Sequence, residues 1–169
     1  MLVDLSIFTY AEEMEIRLIK ESEIEELAHV FVEAFNSADP EKPWSYENAL
    51  ANLKYWFKKQ PDLFYVAIEK DKIIGTTMVN IKPWRTGIRC TDGVLFVDPK
   101  SHRSGIGKKL LIRVLEEAIA KYGATSVEAV TFAAKEFPLT WYEKIGISPD
   151  KGAVLIKGNC ADILNNLKS

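Results

Sequence analysis

Val97-Asp98-Pro99-Lys100-Ser101-His102-Arg103-Ser104-Gly105-Ile106-Gly107-Lys108-Lys109-Leu110-Leu111 is the stretch whose reading decides the fold. An apolar run, Ile88 to Val97, stops at Asp98-Pro99 and gives way to a turn containing two glycines. Ile106, Leu110, Leu111, Val114, Leu115, Ala118 and Ile119 then recur at helical spacing up to Tyr122, with Gly123 placed to cap the end. A strand therefore feeds directly into a long amphipathic helix. The first amides of a helix have no partner within it, and its dipole puts partial positive charge there. Glycines let a ligand approach that backbone closely, so the turn predicts an anion site. Two familiar phosphate loops do not fit. Lys108 is followed by lysine and lacks the upstream glycine of a P-loop, and Leu110 stands where the dinucleotide fingerprint needs its third glycine.

Outward from this centre, Glu15 to Lys20 alternates as a half-buried strand. Ser22 with Glu25 offers a capping box for a helix from Glu23 to Asn36. After a proline-bearing loop, Ser45 caps a second helix to about Gln60. Leu63–Glu69 and Ile73–Ile81 form a hairpin, a turn covers Lys82 to Gly87, and Ile88–Val97 completes a meander. Gly93 inside that last strand suggests a bulge. Beyond the long helix, Ser126–Phe132 reads as a strand, Pro138–Lys144 as a short helix and Ala153–Lys157 as a final strand, with Asn159 capping a terminal helix. The fold class is α/β with a mixed sheet: an antiparallel meander followed by a β-α-β unit. We read residues 1–13 as an N-terminal extension and 14–169 as one domain.

The chain has 169 residues, 47% hydrophobic and 27% charged, an ordinary globular composition. A net charge of −2 gives no global field to attract nucleic acid or an anionic membrane, and no apolar run reaches the roughly 20 residues of a membrane span. Two cysteines make no disulfide framework and two histidines make a zinc site improbable, so a cytoplasmic location is expected.

The central stretch resembles the R/Q-x-x-G-x-G/A motif of the GNAT acyltransferase superfamily, and the element order matches from Met14 to Ile156. His102 replaces the usual Arg or Gln, with Arg103 one place later. The resemblance implies a splayed central strand pair and acetyl-CoA as co-substrate. It implies that Arg103, Ser104, Gly105, Ile106, Gly107 and Lys108 bind the cofactor's pyrophosphate, while Leu95, Phe96 and Val97 pair with its pantetheine arm. Lys100, Arg103, Lys108 and Lys109 form a basic collar, which is also how a solvated helix start looks.

Tyr142-Glu143-Lys144-Ile145-Gly146-Ile147 resembles the family's Y-x-x-x-G-F segment, which implies that Tyr142 is the general acid. Lys135 stands where the family often has an asparagine, so that contact is not carried over. For the base, Asp92 and Glu128 are the candidates, and water chains serve many members of the family. Trp44 and Trp84, in loops, are candidates for an acceptor pocket; Trp56, on a helical stripe, reads as core. Cys90 has no neighbouring histidine in sequence and is a poor nucleophile. The implied activity is transfer of an acetyl group to a primary amine by direct attack, in a protein able to form a homodimer. A non-catalytic acyl-CoA sensor would keep the glycine turn and need neither acid nor base.

Overall fold

The computed structural model describes residues 14–101, 105–132 and 136–168. The proposed N-terminal extension therefore lies outside the described residues. The chain divides into two units, Met1–Val130 and Thr131–Ser169.

The first unit is built on a five-stranded sheet in the order β1-β2-β3-β4-β5. Its strands are β1 (Glu15–Leu18), β2 (Phe64–Glu69), β3 (Lys72–Trp84), β4 (Gly87–Val97) and β5 (Ala124–Val127). The first three junctions are antiparallel, and β4 pairs with β5 in parallel. A β-α-β crossover thus follows a meander, as the sequence pattern predicts. Helices α1 (Ile24–Ala38) and α2 (Tyr46–Lys59) precede β2, and α3 (Ile106–Tyr122) connects β4 to β5.

Period-two alternation along the strands divides the buried side chains between two faces. Phe64, Val66, Met78 and Phe96 pack with Ile24, Leu27, Ala28 and Phe31 of α1 and Leu53 of α2. On the other face Tyr65, Ala67, Val79 and Cys90 meet Ile106, Leu110, Val114 and Ala118, the stripe of α3. Phe31 is the aromatic hub of the first layer. Its ring stacks on Phe35 at 4.3 Å and meets Trp44 and Phe96 edge-on at 5.0 and 5.2 Å.

Several termini form as the sequence reads. Ser45 accepts from the Asn48 amide at the start of α2, and Gly123 ends α3 in the left-handed region. Lys70 and Asp71 both have positive φ, the geometry of a two-residue hairpin turn between β2 and β3.

Others differ. The helix cap falls at Glu23 rather than on Ser22 with Glu25. A 3₁₀ turn, Glu21–Glu23, leads into α1, and the Glu23 carboxylate accepts from the Lys20 amide at 2.8 Å. Arg17 on β1 reaches the same carboxylate with both terminal nitrogens, at 2.8 and 2.6 Å. A bidentate charged pair across two elements outweighs a local hydroxyl cap. The turn predicted for Lys82 to Gly87 shrinks to two residues, because β3 and β4 stay paired out to Trp84 and Gly87. Lys82 and Arg89 both lie over the Trp84 ring, at 5.1 and 4.7 Å, and hold that extension together. β5 starts two residues earlier than predicted and ends at Val127, and residues 153–157 form no strand. A strand exists only where a neighbour supplies ladder partners, which composition does not report.

The Arg17 pair makes stability acid-sensitive. Its hydrogen bonds hold the Glu23 carboxyl below the usual carboxylate range. A depressed folded-state pKa stabilises above the unfolded value, about 4.3, and the gain is lost as pH falls through the folded value. Glu23→Gln is therefore expected to lower Tm by a constant amount from pH 8 to about 5, with the gap closing below about pH 4. Thermal unfolding of both proteins across pH checks this.

In the second unit, α4 spans Glu136–Lys144 and α5 spans Cys160–Lys168. Phe137 is non-helical, so the continuous part of α4 opens at Pro138, as expected. The Asn159 side chain accepts from the Ala161 amide at 2.8 Å and caps α5.

Candidate active site

The strand-to-helix turn begins with Asp98, whose amide donates to the Ile74 carbonyl at 2.8 Å and ties the end of β4 to β3. The Asp98 side chain accepts from the Lys100 amide at 2.9 Å, shaping the 3₁₀ turn Pro99–Ser101. Gly105 is the N-cap of α3 at φ 75°, ψ 9°, left-handed backbone that favours glycine. Its carbonyl accepts from the Lys109 amide at 3.1 Å, closing the first turn. Having no side chain, Gly105 offers nothing to the amides of Gly107 and Lys108, which sit at the positive end of a 17-residue helix. Ile106 is buried beneath them and fixes the helix start to the core. Arg103 and Ser104, the other residues expected at the diphosphate, lie outside the described residues. Within the basic collar, the Lys100 ammonium is paired with Glu33 at 3.2 Å, while Lys108 and Lys109 are exposed.

Beside this turn the sheet opens. β4 pairs with β3 along most of its length, whereas β5 pairs only with Ile88, Arg89 and Cys90. One further bond, from the Glu128 amide to the Cys90 carbonyl at 2.8 Å, marks the parting. Among the described residues no strand continues along the β5 side of β4 past that point. Val94, Leu95 and Phe96 therefore border a split in the sheet. A β-carbon built on Gly107 would lie 3.9 Å from Val97 and 4.0 Å from Leu95, so the open strand and the helix start adjoin.

The parting coincides with a bulge. Thr91 faces Asn80 and Val94 faces Met78, so Asp92 and Gly93 together oppose Val79. Asp92 takes φ 52°, which aspartate tolerates better than most residues. A β-carbon on Gly93 would meet Val79 at 3.3 Å, which explains the glycine there. The two residues line a cleft of about 260 Å³ with Trp56, Thr91, Val94, Glu128, Ala129 and Val130.

The two candidate bases differ in their surroundings. Glu128 is bound by the Arg89 guanidinium and accepts from the Thr91 hydroxyl at 3.4 Å. Asp92 is exposed at the cleft and acts on Lys59, whose ammonium lies over the Tyr55 and Trp56 rings. Lys59 has its pKa raised, first by the Tyr55 hydroxyl and further by Asp92. Cys90 is buried and its thiol is pushed up by that burial, so it is no thiolate nucleophile.

The aromatic lining departs from expectation. Trp56 lines the cleft, its indole nitrogen donating to Asn52 at 2.9 Å. Trp44 instead packs on Phe31 and Phe35, its backbone held by both ends of the Asn36 amide. Trp84 stands at the tip of the β3–β4 hairpin. A helical stripe told which face Trp56 shares, not that the face runs out over an opening.

Tyr142 belongs to the second unit. It is half-buried on α4 with the Trp141 ring 5.1 Å away, and burial raises its phenol above the ordinary value. Its carbonyl accepts from the Ile145 and Ile147 amides at 3.1 and 2.9 Å around Gly146. Lys135 lies outside the described residues.

With this geometry in place, the comparisons converge. The model of the acetyltransferase (GNAT) family matches residues 24–147, and the chain belongs to that family. Solved structures share its fold at low sequence identity. A possible acetyltransferase from Clostridium difficile has a TM-score of 0.71 at 14% identity, covering 86% of this chain and 97% of its own. An acetyltransferase from Trypanosoma brucei gives 0.61 at 22%, covering 86% and 100%. A predicted acetyltransferase from Clostridium acetobutylicum, solved with acetyl-CoA, gives 0.66 at 18%, covering 86% and 96%. No curated protein matches the sequence. Among the described residues no helix is long and apolar enough to cross a membrane.

Proposed function

We propose that this protein is an N-acetyltransferase that moves an acetyl group from acetyl-CoA to a primary amine within a ternary complex. The observation that carries the reading is that the split edge of β4 adjoins the start of α3, whose N-cap, Gly105, has no side chain to cap its amides. The residues fit acetyl-CoA: a left-handed glycine cap leaves donor amides at the positive helix end, and among the described residues no ladder from β5 runs along β4 beyond Cys90.

When bound, acetyl-CoA supplies a thioester whose acyl carbon is open to attack. The backbone of Ile106 to Lys108, with Arg103 and Ser104, holds the diphosphate. Leu95, Phe96 and Val97 offer their backbone to the pantetheine amides, in the manner of an added strand. Asp92 accepts the proton of the incoming amine at the cleft, directly or through water. Tyr142 keeps its proton at neutral pH and donates it to the departing sulfur.

Free-thiol release from acetyl-CoA across a panel of primary amines tests this. Asp92→Asn should lower kcat/KM roughly tenfold and shift its pH dependence toward alkaline pH, where the amine deprotonates unaided. Coenzyme A binding with no release from any amine would favour the sensor reading.

Gly105→Val probes the diphosphate site. A β-carbon there would meet nothing within 4 Å among the described residues, and the left-handed backbone is the cost the substitution imposes. Holding a non-glycine residue at φ 75° costs on the order of 1–3 kcal/mol, enough to weaken coenzyme A binding by about tenfold. Calorimetric titration measures it, and unchanged affinity would remove the turn from the binding site.

A further inference from the structure

Two buried nitrogens among the described residues have no hydrogen-bond partner, Asn80 Nδ2 and Arg89 Nε. Both belong to the same patch of sheet. Asn80 faces Thr91 and Lys82 faces Arg89 in the β3–β4 ladder, so all four side chains share one face. Thr91 lines the cleft, and Arg89 is bound to Glu128, which also lines it. Asn80 is only 6% exposed. Buried donors in native structures nearly always have an acceptor, so an orphaned pair two ladder steps apart on one face points to an oxygen-bearing group that comes from outside.

The charges agree. Arg89 is matched by Glu128, whereas among the described residues the Lys82 ammonium lies over an aromatic ring, Trp84, and is paired with no carboxylate. Arg85 follows at the hairpin tip and is exposed. The track from the cleft along the hairpin therefore runs from a carboxylate, Asp92, to a cationic and aromatic end.

We infer that the acceptor is an elongated amine carrying an oxyanion at its far end, the amine beside Asp92 and the anion at Asn80, Lys82 and Arg89, flanked by Trp84. Lys82 and Arg89 lie three residues along β4 from Asp92, about 10 Å at about 3.4 Å per residue, too long for an α-amino acid and suited to an ω-amino acid or a similarly extended phosphate. The inference rests on the acetyl-transfer reading for the amine end, and on the orphaned donors for the anionic end.

The test uses the full chain saturated with coenzyme A. Calorimetry compares 6-aminohexanoate, 6-aminohexyl phosphate, hexylamine and 1,6-diaminohexane, and thiol release from acetyl-CoA is followed with the same four. The anionic amines should exceed hexylamine and 1,6-diaminohexane by about tenfold in affinity and in kcat/KM, as one well-placed charge-assisted contact allows. The better of the two identifies carboxylate or phosphate. Lys82→Glu, at an exposed position near the tip of the β3–β4 extension, where Arg89 still lies over Trp84, should reverse the order in favour of 1,6-diaminohexane. Equal binding of all four amines, or a preference that survives Lys82→Glu, overturns the inference while leaving acetyl transfer intact. Lys82-dependent binding without thiol release sustains the anionic end and removes the transferase reading.

Discussion

Tyr142→Phe is expected to lower kcat by about 10²-fold or more, while coenzyme A affinity stays within about twofold. The phenol is half-buried, and burial holds its pKa above the ordinary value of about 10. A group so placed is fully protonated through the physiological range and able to give a proton to a departing thiolate. Phenylalanine keeps the ring and its packing beside Trp141 but has no proton to give. The same shift has a pH consequence: wild-type kcat should show no alkaline decline from this group below about pH 10. Steady-state rates for both proteins, with calorimetry for affinity, separate the donor role from a packing role. Equal loss of kcat and of affinity would mean that Tyr142 shapes the unit and gives no proton.

The largest effect on stability should come from Phe31→Ala, about 3–5 kcal/mol, or a fall in Tm of about 10 °C. Phe31 is 2% exposed and its ring touches Phe35 on its own helix, Trp44 on the following loop and Phe96 on the open strand. Truncation leaves a hole where three elements meet. Because Phe96 loses one of its two aromatic partners, Phe35 being the other, the split edge of β4 should loosen as well, and coenzyme A binding should weaken along with thermal stability. Differential scanning calorimetry and a coenzyme A titration read the two effects. A Tm within 2 °C of wild type would mean that the aromatic cluster repacks around the gap.

The turn before the long helix, the α3 stripe and the β-α-β order were legible because each is local or periodic. Ser45 and Asn159 announced their helices for the same reason: a cap needs only a neighbour three residues away. Long-range pairings were hidden. Nothing near Glu23 reveals that Arg17, on a separate strand, claims its carboxylate. The extension of the β3–β4 hairpin depends on cations from both strands meeting one tryptophan. At the site, Gly93 signalled a bulge, but the positive φ falls on Asp92, and no pattern told which of Asp92 and Glu128 would be held by an arginine. Trp56 was read as core and does pack against the layer of α1 and α2, but periodicity reports which side of a helix a residue occupies, not that its outer edge also lines a cleft.

Two residues of β4 opposing one of β3 have a last consequence. Thr91 and Val94 lie on the same side of the sheet although three positions apart, and Cys90 and Leu95 both meet the layer of α3. Excising Gly93 would leave Thr91 opposite Asn80 and Val94 opposite Met78, with every packed side chain still pointing the way it does now. Neither layer of the core therefore requires the extra residue. What the extra residue adds is the lining of the cleft, and a chain shortened by that one residue is expected to keep its architecture while losing acetyl transfer if the cleft is where the amine enters.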